Sequence, residues 1–198
     1  IKLPIKHPWV LSFLLRHIPT DVSAKLDISA RRMILSFIVA SFRSGGILFT
    51  RFYGPKLTEM EQQARWMERV RNVTVSQWTD LAADFPEQVA LLDDCTVVFK
   101  LISDVVVIVV GNREHDALLL LEFVRQFDSC FRKVCRVPSQ QSKNTGAIFS
   151  GSSVSAEKRI LSEYWNICLI VDEMIDEGTI DHLDSVMLQK MLAMKPKR

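Results

Sequence analysis

The segment Gln88–Asn112, QVALLDDCTVVFKLISDVVVIVVGN, constrains this chain more than any other stretch. It holds three apolar runs, Val89–Leu92, Cys95–Ile102 and Val105–Val110, separated only by Asp93-Asp94 and Ser103-Asp104. Short polar side chains hydrogen-bond their own backbone and tolerate sharp bends, so both pairs predict tight turns and the segment predicts an antiparallel meander. The last run is entirely Val and Ile, without polar alternation, the pattern of a strand covered on both faces. A long apolar helix pattern follows at once. A sheet that needs helices on both sides reads as a scaffold, and the question becomes what it holds.

Hydrophobic residues make up 48% of the 198, enough to fill the core of one domain with appendages. A net charge of +2, spread evenly, argues against a nucleic-acid partner. The 4 cysteines (Cys95, Cys130, Cys135, Cys168) each sit inside an apolar run. They form no CxxC pair and no Cys/His set with zinc spacing, so they read as small core hydrophobes of a reducing compartment, with no metal or cofactor expected. No apolar run reaches the ~18 residues of a membrane-spanning helix.

Residues 1–32 form a separate tract whose apolar knot is Trp9–Leu15 with basic flanks. It is expected to be a non-structural extension or a short membrane-surface helix. Met33–Phe42 and Gly46–Tyr53 predict two strands joined by the hairpin loop Arg43-Ser44-Gly45. Thr58-Glu59-Met60-Glu61 predicts a capping box opening a helix to about Val75, with Met60, Ala64, Met67 and Val70 on the inner face. After a loop over 76–87 and the meander, Asn112 is expected to cap a second helix. Its inner stripe is Ala117, Leu120, Leu121, Val124, Phe127, Phe131 and Val134. Leu119 and Phe123 fall off that stripe, so the helix needs a second cover, either another helix or a partner protein. Residues 137–154 predict a long polar loop with Ile148-Phe149 as its apolar spot. Ser155 is expected to cap a third helix with Ile160, Leu161, Tyr164, Ile167, Cys168, Val171, Met174 and Ile175 inward, ending at Glu177-Gly178. A short last helix over 184–195 and a basic tail complete the chain. The domain proper spans 33–184, with 185–198 appended. The sum is an α/β fold of about five antiparallel strands, with one helix on one face and two on the other.

Candidate chemistry is sparse. His115-Asp116 beside Asp93-Asp94 could form an acid/base set, but these residue types in these places suit turns and caps, and a catalytic site needs a pocket and a positioned nucleophile as well. Asp172-Glu173 and Asp176-Glu177 could hold a cation, yet hard cations want ligands converging from a loop, so a solvated helix face is expected. Gly146 and Gly151 lack the Gly-Lys-Ser/Thr of a phosphate loop. Asn72-Val73-Thr74 is a glycosylation sequon on a predicted helix. Trp66 and Trp78 read as core or as anchors for a partner. No catalytic residues are assigned; Leu119, Phe123 and Trp66 are the candidate partner-facing positions.

Four stretches in order carry a resemblance. LFTRFYG (Leu48–Gly54) is similar to a Leu-Phe-Ala-Lys-Tyr-Tyr strand end. Glu61-Gln62 with Asn72-Val73-Thr74 is similar to a Glu-Gln and Asn-Lys-Thr pair in one helix. ALLDDCTVVFK (Ala90–Lys100) resembles Ala-Leu-Leu-Glu-Gly-Leu-Thr-Val-Val-Tyr-Lys. Glu157-Lys158-Arg159 with LIVDEMIDEGTI (Leu169–Ile180) resembles Glu-Lys-Arg and Val-Asp-Glu-Ile-Val-Asp-Gly-Gly-Val-Ile. These are motifs of the zeta subunits of the coatomer, the COPI vesicle coat, and more distantly of the sigma small subunits of clathrin adaptors. The match covers about Met33 to Asp184. It departs in a longer 137–154 loop, in the plain Val105–Val110 strand where the family is aromatic, and in the unmatched 1–32. The resemblance implies a longin-like (SNARE-like) small-adaptin fold, no enzymatic activity and no cofactor. It implies a clamp on the helical solenoid of the large gamma coatomer subunit within a multi-subunit coat. An Arf-family GTPase recruits that coat to Golgi membranes, which implies a cytoplasmic protein, peripheral on Golgi and COPI vesicles. The alternatives are a sigma-type adaptor chain or a longin-domain trafficking regulator of another complex.

Overall fold

Five strands form one antiparallel sheet: β1 Ile34–Ser41, β2 Ile47–Phe52, β3 Glu87–Leu92, β4 Cys95–Ile102 and β5 Val105–Asn112. Their spatial order, β2-β1-β5-β4-β3, puts the all-aliphatic β5 at the centre, where both of its faces are enclosed. Leu92 pairs with Cys95 and Ile102 with Val105, so the two predicted turns are two-residue hairpins. Asp93 (φ 51°) and Ser103 (φ 62°) take the left-handed conformation there, a turn geometry that suits the twist of the flanking strands. This is a computed structural model, and it describes residues 33–54, 56–78, 81, 87–112, 117–137 and 155–194, all within one unit, Arg32–Arg198. The 1–32 extension, His115 and Asp116, the body of the polar loop (138–154, with Ile148 and Phe149) and the tail from Lys195 lie outside the described residues.

Helix α1 (Met60–Thr74) covers one face of the sheet. Its Val70, with Trp78 and Leu81 beyond it, packs on Ile38, Ala40, Val97, Phe99, Val106, Ile108 and Val110. The opposite face carries α2 (Ala117–Val134), α3 (Ala156–Ser162), α4 (Tyr164–Met174) and α5 (Ser185–Met194). There Phe37, Val39, Val98, Val105, Val107 and Val109 meet Leu120, Phe127, Phe131, Ile167 and Val171. Phe37 is the hub, edge-on to Phe127 at 4.9 Å, Phe49 at 5.9 Å and Phe123 at 6.1 Å. The sheet-and-layers expectation is met, with the third helix broken in two.

Local details differ from expectation, each for a physical reason. The capping box does not form: Glu59, not Thr58, is the N-cap of α1 and makes no side-chain cap bond. Glu61 is drawn instead to Arg65 one turn on, at 2.6 Å, and the Gln63 amide donates to the Leu57 carbonyl at 2.9 Å. Met60 and Ala64 are exposed, because the buried stripe of α1 is rotated to Trp66, Met67, Val70, Val73 and Thr74. Asn112 ends β5 rather than capping α2. Ser155 does cap: its hydroxyl accepts from the Lys158 N–H at 3.2 Å. The helix it opens breaks at Glu163 (φ −108°, ψ 19°), where the Ser162 hydroxyl donates to the Arg159 carbonyl at 3.0 Å and competes with the helical ladder. That break shifts the phase, so Leu161 and Tyr164 point outward rather than inward. α4 stops at Met174, and Ile175–Asp176 pairs with Thr179–Ile180 as a small hairpin turning at Glu177 and Gly178. The Gly178 carbonyl accepts from Met33 and Ile34 at 2.9 and 2.8 Å, tying this hairpin to the start of β1.

Gly111 marks where β5 and α2 touch. A Cβ there would lie 2.6 Å from Leu120 Cδ1 and 3.0 Å from the Met33 carbonyl oxygen. The backbone oxygen cannot give way, so Gly111→Ala is expected to cost about 1–3 kcal/mol. A thermal melt checks it, and an unchanged midpoint would mean that α2 sits further from the sheet.

Candidate partner-binding surface

Of the candidate acid/base groups, His115 and Asp116 lie outside the described residues. Among the described residues no cluster of His, Cys, Asp and Glu is placed to hold a metal ion, and no helix is long and apolar enough to cross a membrane. Asp93 is a turn residue ion-paired with Arg69, and Asp172 pairs with Arg51 at 3.4 Å. Asp176 and Glu177 belong to the small hairpin. Thr74 of the sequon is buried, its hydroxyl donating to the Val70 carbonyl at 3.0 Å. The described cysteines are free thiols; Cys130, Cys135 and Cys168 are buried, and burial pushes the Cys135 thiol up to about 12.

The three partner-facing positions read from the sequence separate. Phe123 is fully buried against Phe37, so it is a core residue and not part of a contact surface. The second cover that α2 needs is its own chain: α4 and α5 close over the flank carrying Phe123 and Cys130, with Ile167, Ile170, Val171, Met174 and Leu188. Leu119 is half-buried. Trp66 is half-buried too, its ring on the α1 side of the sheet and its Nε1 donating to Ser36 Oγ at 2.9 Å.

Exposed apolar side chains gather in two other places. Leu161, Tyr164 and Trp165 stand on the outer side of α3 and α4, with Trp165 63% exposed. Tyr164 leans on Phe49 at 5.6 Å, and the Arg51 guanidinium lies over that Phe49 ring at 4.9 Å. The second place lies between β3 and the start of α2. Val89 opposes Val98, whose side chain faces α2, so Val89 and Leu91 project to that side of the sheet. Leu118 falls seven residues before Arg125 on the same side of α2, and Arg125 bonds Glu87 of β3 at 2.8 Å. Leu118, 69% exposed, therefore looks along the same edge as Val89 and Leu91. The sequence held a hint of the first patch, since Leu161 and Trp165 are four apart. Without the break at Glu163 the stripe could not be phased.

Known proteins share the pattern and the fold. The sequence pattern of the clathrin adaptor complex small chain matches residues 34–138. A protein of Dictyostelium discoideum named probable coatomer subunit zeta-A is 22% identical over 162 residues, covering 82% of this chain and 81% of that one. A chain of a homology model of the full-length AP-3 complex in a stretched open conformation shares the fold with a TM-score of 0.53 at 11% identity, covering 81% of this chain and 92% of that chain.

Proposed function

This chain belongs to the clathrin adaptor complex small-chain family, and from that premise we propose that it is a non-catalytic structural subunit of the coatomer, clamping the large gamma-type solenoid. One observation carries the structural role: among the described residues, the exposed large apolar side chains include two groups, Leu161, Tyr164 and Trp165 on one side and Leu118, Val89 and Leu91 on another. Contiguous apolar patches of this kind mark contact surfaces on soluble proteins, and Trp and Tyr are the side chains most often dominant in them. The relative named as a coatomer zeta subunit, aligned over most of both chains, supports the coatomer as the assembly. In this reading the chain works beside the other coatomer subunits, peripheral on Golgi and COPI vesicle membranes after Arf-family GTPase recruitment, in Golgi-to-ER and intra-Golgi transport. Leu119 stays a candidate contact at the rim. A sigma-type role in a clathrin adaptor is the second reading, supported by the same family match.

Co-expression with the gamma-type solenoid tests the proposal, and a one-to-one complex on gel filtration is the expected result. Leu161→Glu with Trp165→Glu should lower recovery of that complex by about tenfold or more, the size of one interface hot spot, without moving the melting temperature. Co-purification with an adaptor large chain instead would select the sigma reading. A stable monomer that ignores both would overturn the subunit role.

A further inference from the structure

A second feature stands apart from those patches, on the α1 side. The pairing of β1 with β5 slips between Ile34 and Ser36. Leu35 is left over in the slip, and its carbonyl accepts from Tyr53 and Gly54 at 2.8 and 3.1 Å. Such a bulge re-aims a side chain out of the regular alternation. Leu35 here lines a cavity of about 480 Å³ together with Leu57 and the Trp66 ring. That volume is in the range of sites that take small ligands. Its rim is cationic, with Lys56, Arg65 and Arg69. Arg65 is turned to Glu61 at 2.6 Å, and Arg69 to Asp93, with the Arg69 guanidinium 5.7 Å from the centre of the Trp66 ring. Both ion pairs are exposed, so each holds weakly and can exchange for another carboxylate. Gln62 forms one wall, and its Oε1 is buried with no hydrogen-bond partner.

We propose that this cavity binds an acidic peptide segment by one bulky apolar side chain, with flanking carboxylates on Arg65 and Arg69 and a backbone N–H on Gln62 Oε1. The chemistry selects this occupant. Arginine forks match planar carboxylates two bonds at a time, and the molecule already shows both arginines engaged by carboxylates. A buried acceptor without a donor costs free energy that a peptide N–H removes. An acyl chain carries no such donor and the phosphodiester group itself only accepts, whereas a peptide backbone brings an N–H beside its carboxylates; phosphatidylserine vesicles test the lipid alternative directly. Trp66, half-buried and bonded to Ser36, supplies the apolar wall.

The proposal stands apart from the coat reading, because its test needs only this chain. A fluorescein-labelled Glu-Glu-Phe-Glu-Glu peptide is titrated by anisotropy, beside Glu-Glu-Ala-Glu-Glu, Lys-Lys-Phe-Lys-Lys, and phosphatidylcholine vesicles containing phosphatidylserine. Saturable binding of the acidic Phe peptide alone is expected. Arg65→Glu and Arg69→Glu should each weaken it about tenfold, as loss of one charge-assisted contact does. Gln62→Leu should weaken it with its melting temperature unchanged. Should an arginine variant fail to fold, the exposed Lys56→Glu replaces it with the same expected direction. Equal binding of the Ala or Lys peptide, indifference to all of these substitutions, or binding to the vesicles alone would overturn the proposal.

Discussion

Leu120→Asp is expected to leave no folded domain, whereas Leu118→Asp, on the same helix, should melt with the parent. Leu120 is fully buried against the backbone of Gly111 and among the apolar side chains of that face. Truncating such a leucine already costs about 2–5 kcal/mol, and a carboxylate placed there finds no cation and adds a desolvation cost of several kcal/mol more. The sum rivals the about 5–15 kcal/mol by which a domain of ordinary stability is held. Leu118 faces water beside β3, so its substitution should change stability by within about 0.5 kcal/mol. Circular-dichroism melts of both variants decide the matter. A folded Leu120→Asp, or an unfolded Leu118→Asp, would mean that α2 is rotated from the orientation described.

That contrast also shows where the sequence was legible. The sheet could be read because β3, β4 and β5 each carry their own pattern, and Asp93-Asp94 and Ser103-Asp104 leave room only for tight turns. The five strands, the single helix on one face and the helices on the other follow from that centre. Helix faces were less legible, since a periodicity fixes a stripe only to within one position on either side. Phe123 looked outward because α4 and α5, far along the chain, supply the cover that buries it. Leu161 and Tyr164 looked inward because a continuous helix was assumed through Glu163, where the backbone leaves helical geometry. The cavity on the α1 side depends on a bulge at Leu35, and a bulge leaves no mark in residue type. Of the positions proposed for contact from sequence, Trp66 lines that cavity, Leu119 is half-buried and Phe123 belongs to the core.

The least legible feature carries the other large expected effect. Lys100 lies within the largely apolar β4, and its side chain is only 11% exposed on the α2 side of the sheet. Its Nζ lies 2.9 Å from Glu87 Oε1 and 3.0 Å from Asp128 Oδ2. Arg132 reaches the other oxygen of Asp128 at 2.6 Å, and Arg125 reaches Glu87 at 2.8 Å. The group links β3, β4 and α2 by charge where β3 has only one neighbouring strand. Replacing the central cation takes one of two cations from each carboxylate while Arg125 and Arg132 stay, so Lys100→Met is expected to cost about 3 kcal/mol for the charge-assisted bonds lost. Adding Asp128→Leu should recover much of that loss, because a well-packed apolar pair can equal a buried ion pair. Acid gives the second readout. Burial raises the Glu87 carboxyl, but bonds and charge from Arg125 and Lys100 outweigh it and hold the group below its ordinary 4.5. A lowered carboxyl adds stability that is complete above the unfolded value and disappears as the pH falls through the folded one. The parent should therefore lose stability below pH 4.5, and Lys100→Met should lose less across that window, because part of the lowering has gone. Urea midpoints measured over that range carry the test. A Lys100→Met variant with the parent's midpoint and the parent's acid slope would show that the Lys100 charge does not hold β3 to α2.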